Sequence, residues 1–223
     1  MRFVTLYKIF SFLCLFLLSN NLSRAQRCND ISEQNLPVHF TEEMIYIVCR
    51  GTKSKQGIIS KNFNLLDKNI THIGIGIFIK NKFKVYNVTN DIGYKTNSFV
   101  IETLESFLNR QDLRYCAIWS LKRPKGLRQR IIENCESYRD KFIYFDNVFN
   151  LNNGDSLYCS EFVVKILNAS GIKPSIKPTL KILNDYFLEQ ISGQKQISYY
   201  SVDFFLNFRS IKKIYEYCTD NKK

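Results

Sequence analysis

The sequence predicts a single α+β domain in which antiparallel strands pack with a small set of helices. Three observations point that way. Residues 71–80 and 83–90 alternate apolar and polar side chains across a two-residue break, the pattern of a half-buried hairpin. Helical periodicity is segregated into other stretches, chiefly 126–141 and 156–169, and does not alternate regularly with strands. No internal repeat, low-complexity tract or long linker divides the 223 residues.

The chain opens with Arg2 and Lys8, and Ile9 to Leu18 (IFSFLCLFLL) is nearly unbroken apolar sequence. Ser23-Arg24-Ala25 then offers a small-residue cleavage pattern before Gln26. Residues 1–25 therefore read as a secretory signal peptide, with an apolar run too short to anchor in a bilayer. Gln26 and Arg27, directly before Cys28, argue against a lipoprotein site. Residues 26–223 are expected to form one exported domain, periplasmic or extracellular, with no transmembrane segment.

Met44 to Arg50 (MIYIVCR) reads as a strand, and 51–69 as a polar loop with room for one helical turn. Thr71 to Lys80 (THIGIGIFIK) puts Ile73, Ile75, Ile77 and Ile79 on one face and His72, Gly74 and Gly76 on the other. Asn81-Lys82 is read as the turn, and Phe83 to Asn90 as the partner strand. Phe99 to Arg110 predicts a strand end running into a short helix, and Leu113 to Lys122 another strand. Gly126 to Lys141, after Pro124, predicts an amphipathic helix, followed by a loop rich in Asn, Asp and Gly up to Asp155. Ser156 to Ala169 is the clearest helix, stopped by Gly171 and Pro174. Leu180 to Tyr217 mixes helix and strand patterns without a legible order. Its aromatics Tyr186, Phe187, Tyr199, Tyr200, Phe204 and Phe205 read as ordinary core.

Composition narrows the chemistry. Arg2, Lys8 and Arg24 supply three of the formal +12 charges, which leaves about +9 beyond residue 25. Export argues against nucleic acid, and the scattered Lys and Arg suit either a solvated surface or attraction to anionic cell-wall and lipid groups. Six cysteines follow the signal (Cys28, Cys49, Cys116, Cys135, Cys159 and Cys218), none at CxxC or zinc-ligand spacing. Cys49 and Cys116 sit in strand-like runs as buried thiols, while Cys28 and Cys218, near the termini, could pair. His39 and His72 are the only histidines, so no metal site and no cofactor is expected. His39, in Pro37-Val38-His39-Phe40, reads as a surface or packing residue.

Two segments can carry chemistry. Asp155 or Ser156 is a good N-cap, which puts Cys159 in the first helical turn, where orphan N–H groups and the helix dipole favour a thiolate by roughly 0.3–1 kcal/mol. With an imidazolium nearby, such thiols ionise well below the free value. His72 shares its strand face with two glycines, which would let the cysteine-bearing helix approach closely enough for imidazole to reach sulfur. Asn87 or Thr89, across the hairpin, would orient the ring. A cysteine on an apolar helix face and a histidine in a strand are each more often packing residues, and the pattern alone leaves both readings open.

The pair THIGIGI (Thr71 to Ile77) and LYCSEFV (Leu157 to Val163) resembles the permuted papain-like amidases of the YaeF/YiiX type, within the NlpC-like superfamily. The resemblance runs from Met44 to Ala169 and includes Phe145-Asp146 and the loop Asn150 to Asn153. It implies a bacterial enzyme with a papain-like fold, in which an antiparallel sheet or small barrel packs against the nucleophile's helix and histidine precedes cysteine in the chain. Carried over, Cys159 is the nucleophile, His72 the base and Asn87 the third residue, with Thr89 and Asn90 as alternatives. An asparagine stands where an acid is usual. The implied activity is hydrolysis of an amide bond through an acyl-enzyme, and export points to cell-wall peptides or small amino-acid amides. Lecithin:retinol acyltransferase-like proteins share the fold, so a lipid-like acyl substrate is the rival, and a non-catalytic binding protein is a second.

Overall fold

A computed structural model of the chain describes residues 36–90, 97–122, 126–172 and 175–219. The expected signal peptide and Cys28 lie outside them. The fold is α+β. Six strands form one sheet: β1 (Ile45–Thr52), β2 (His72–Ile79), β3 (Lys82–Val88), β4 (Phe99–Thr103), β5 (Leu113–Leu121) and β10 (Ile211–Cys218), in the order β10-β5-β1-β2-β3-β4. Every neighbouring pair is antiparallel. Among the described residues the sheet is open, with β10 and β4 at its edges, and is not a barrel.

Alternation in β2 sorts its side chains as the sequence predicts. Ile73, Ile75 and Ile77 enter a core shared with α4 (Cys159–Ala169) through Phe162, Val163 and Ile166. Burial of each such side chain contributes on the order of 1.5–3 kcal/mol. The opposite face is also covered. Phe83, Val85 and Phe107 form a second core there with Tyr46 and Val48, and Phe107 comes from the short helix α2 (Leu104–Leu108). The expected packing is therefore reversed: α4 lies on the isoleucine face and not on the His72–Gly74–Gly76 face. The glycines make room for cross-strand side chains instead. A Cβ on Gly76 would lie 2.5 Å from Phe83 Cζ, and one on Gly74 2.8 Å from Val85 Cγ1.

Other boundaries shift for local reasons. Residues 51–69 contain a two-turn helix, α1 (Lys55–Lys61), whose Ser54 side chain accepts from Gly57 N–H at 3.1 Å. Few apolar residues mark it, so periodicity missed it. The hairpin turn is Lys80-Asn81, one residue early, with both φ angles positive (49° and 60°) as a tight two-residue turn requires. The amphipathic helix α3 is shorter than expected, Leu127–Glu136, and starts after Gly126 at φ 87°. Tyr144–Phe145 (β6) and Ser156–Leu157 (β7) form a small parallel pair, so α4 begins at Cys159 and not at Ser156. The C-terminal third resolves into β8 (Thr179–Ile182), α5 (Tyr186–Ser192), β9 (Gln196–Tyr199), a 3-10 turn (Phe204–Asn207) and β10. Tyr199, Phe204 and Phe205 are core residues as expected, whereas Tyr186 and Phe187 are exposed. Cys49 and Cys116 are fully buried, and Cys218 is a free thiol.

Gly76→Ala should cost about 1–3 kcal/mol, because a buried Phe83 ring and Val48 must both move. Urea denaturation measures it, and an unchanged midpoint would show that the glycine face is not tightly packed.

Candidate functional site

Cys159 is the first residue of α4, and the residues around it explain why the chain turns there. Tyr158 is the N-cap, in extended conformation, and its side chain makes no capping bond. The helix start is latched from outside instead. Ser160 Oγ donates to the Tyr200 carbonyl at 2.7 Å, and Tyr200 N–H donates to the Tyr158 hydroxyl at 2.8 Å. Buried Glu161 pairs with Lys165 Nζ at 2.9 Å. In the Tyr-Cys-Ser-Glu run, Tyr158 and Ser160 thus hold Cys159 from either side. The expected N-cap, Asp155 or Ser156, is displaced because Ser156 belongs to β7 and Asp155 lies in the turn before it.

The uncapped N–H groups of Cys159 and Ser160 turn toward the cysteine sulfur, joined by Ile73 N–H from β2. The β2–β3 register stops at Ile75 and Tyr86, so Ile73 N–H lies beyond that ladder. His72, the residue before, is the first of β2. Cysteine and histidine are therefore both placed at the end of the sheet, the one opening α4 and the other opening β2. Both line one cavity of about 130 Å³, together with Arg50, Thr71, Tyr158 and Tyr200.

His72 is 9% exposed and leans on the Phe107 ring, with centroids 5.5 Å apart. Its Nε2 lies 3.0 Å from Oδ1 of fully buried Asn87. Asn87 Nδ2 donates to Glu102 Oε1 at 3.0 Å, and Glu102 Oε2 accepts from Ser106 Oγ at 2.6 Å. Thr89 and Asn90 line the same cavity. His39 is exposed and is not one of the residues lining the cavity. Arg50, Phe107 and Glu102 were not legible as site residues. Arg50 Nη1 donates to the Phe107 carbonyl at 2.7 Å, and its guanidinium lies 4.7 Å from the centre of that ring. Strand alternation places Glu102 on the same face as Asn87 once the β3–β4 register is known, since Asn87 faces Val100.

The electrostatics correct one expectation. Burial pushes the Cys159 thiol up, and N–H donation from Ile73 and Ser160, with the Arg50 charge, only partly opposes that. The resting residue is a thiol rather than a preformed thiolate. Such a sulfur can still react if a base removes its proton as the new bond forms.

This is an α+β sheet protein with a buried thiol and an imidazole at one end of the sheet. No family model matches the chain, and no curated protein matches it. Among solved structures it resembles the metalloprotein YiiX from Escherichia coli O157:H7, with a TM-score of 0.56 and 13% identity over 80% of this chain and 99% of that one. The likeness is one of fold. That protein is described as a metalloprotein; among the described residues here, no three His, Cys, Asp or Glu side chains gather to hold a metal ion. No described helix is long and apolar enough to cross a membrane.

Alkylation of Cys159 by iodoacetamide, followed by peptide mass spectrometry, should accelerate with pH to a midpoint above that of a free thiol. A midpoint in the acidic range would show that a preformed ion pair outweighs burial.

Proposed function

We propose that the protein is an exported thiol hydrolase of the permuted papain-like type that cleaves an amide bond in a peptide or amino-acid amide. One observation carries this reading: the Cys159 sulfur sits among main-chain N–H donors in the same small cavity as a histidine whose far nitrogen is bonded to an asparagine. Nucleophile, base and orienter are the three parts that acyl transfer through a thiol requires.

In the proposed reaction His72 takes the Cys159 proton as sulfur bonds to the carbonyl carbon. The carbonyl electron pair moves to oxygen, and the Cys159 N–H stabilises that charge. Collapse expels the amine, which leaves with the proton from His72, and an acyl-enzyme remains. Water then attacks the thioester, giving its proton to His72. The carboxylic acid departs and the thiol is restored. Because burial keeps the resting sulfur protonated, the proton moves during the attack, which makes the imidazole a general base.

Size favours a small acyl group. About 130 Å³ is close to the roughly 150 Å³ of an apolar cavity that holds benzene. A second reading, a thiol acyltransferase or esterase acting on lipid, draws on Leu180, Ile182, Tyr186 and Phe187, all large, apolar and exposed.

Incubation with cell-wall peptides, amino-acid amides and phospholipid in parallel, then mass spectrometry of the intact protein, should show a small acyl adduct on Cys159 from an amide. His72→Ala should slow turnover by about 10²–10⁴-fold, the usual worth of a general base, and Cys159→Ala should abolish it. A phospholipid-derived adduct would favour the lipid reading, and hydrolysis surviving in Cys159→Ala would sink both.

A further inference from the structure

We propose that Glu102 sets the tautomer of His72 by holding the Asn87 amide one way round; the inference rests on His72 being the residue that carries the proton. An asparagine amide is two-sided. Its oxygen accepts and its nitrogen donates, and a half-turn exchanges them. Which group faces the imidazole decides which ring nitrogen bears hydrogen. The neighbouring groups decide which way it is held.

Here the neighbour is a carboxylate. Glu102 Oε1 lies 3.0 Å from Asn87 Nδ2, and a carboxylate can only accept. Turning the amide would press Oδ1 against Oε1 and leave two acceptors facing each other at a fully buried residue, a mismatch with no water to relieve it. Glu102 is itself fixed. Its side chain is 9% exposed, Ser106 Oγ donates to Oε2 at 2.6 Å, and Arg110 Nη2 lies 4.0 Å from the same oxygen. Ser106 is held in turn at the start of α2, where its N–H donates to Thr103 Oγ1 at 3.1 Å.

The consequence runs back to the imidazole. With Oδ1 turned toward His72 at 3.0 Å, Nε2 is the nitrogen that carries hydrogen. Nδ1 keeps its lone pair. Nδ1 is also the ring nitrogen nearer the His72 main chain, and the next residue's N–H, that of Ile73, is the one directed at the Cys159 sulfur. The opposite tautomer would aim the lone pair at Asn87 and could not accept a proton from the thiol. Glu102 makes no contact with the reacting atoms and acts through Asn87, so it is a positioning residue.

The chain offers a clean readout, because His39 and His72 are its only histidines. Protein labelled with 15N-histidine gives two imidazoles, and His39→Gln assigns them. In the unsubstituted protein His72 should carry hydrogen on Nε2 in its neutral form. Glu102→Gln should populate the Nδ1–H form, since glutamine can donate or accept and frees the amide to turn. Turnover should fall by on the order of tenfold or more with KM little changed, in the direction known for misplaced tautomers in such sites. The double variant Asn87→Asp with Glu102→Gln reverses the donor between the two residues and should restore the Nε2–H form. His72 with hydrogen on Nδ1 in the unsubstituted protein, or Glu102→Gln with an unchanged tautomer, would overturn the proposal. Because the spectrum needs no substrate, a fixed tautomer without any acyl adduct on Cys159 would spare the role of Glu102 and reject the hydrolase reading.

Discussion

Ile73 N–H lies where the β2–β3 ladder has ended and faces the Cys159 sulfur closely enough to oppose the rise that burial imposes on the thiol. A backbone N–H left over at a strand end must find a partner, because burying it alone is costly. Here the first side chain of α4 faces that N–H, together with the N–H groups of its own helix start. Cys159 and His72 line the same cavity although α4 packs on the isoleucine face.

Loops from distant parts of the chain close around that point, and buried carboxylates hold them. Asp203, fully buried, accepts from the N–H groups of Leu65, Leu66 and Asp67, tying the segment before β2 to the C-terminal third. Asp146 accepts from Val148 and Asn150 N–H and shapes the loop that carries Phe149 at φ 56°. Phe149 in turn packs against Phe63 and Tyr158. Main-chain donors gathered on one carboxylate make a rigid turn without needing an apolar core of its own. The cavity wall is assembled this way, from short polar turns around an aromatic lining.

Burial raises the Cys159 thiol, so in the proposed reaction its reactivity over the other cysteines would come from the imidazole and not from a standing charge. Cys135 shows the contrast: burial pushes its thiol up as well, and it lies in the core with no imidazole beside it in the hydrophobic packing. The shared fold with YiiX, at 13% identity, fixes the scaffold and not the reaction.

Much was readable from order along the chain. The period of two in residues 72–79 marked both faces of β2, the mixed pattern at 99–110 marked a strand feeding a helix, and the apolar stripe after Cys159 marked α4. These follow from local geometry, in which side chains alternate in strands and recur every third or fourth residue in helices. The pairing of His72 with Asn87 was reachable too, because a hairpin fixes register within a few residues. Local pattern could not say which face α4 would choose, since both faces of β2 are apolar or small enough to be covered. Nor could it reveal Arg50 or Glu102, which meet the site through strand pairing and a helix 57 residues away. The C-terminal strand β10 depended on the whole sheet, since its place beside β5 is set by partners 90 or more residues distant. Sequence alone determined the strands and helices of the first two thirds in outline and the candidate nucleophile and base. Tertiary structure decided that these line one cavity at the end of the sheet, because only the folded chain reveals where ladders stop and where loops can close over them.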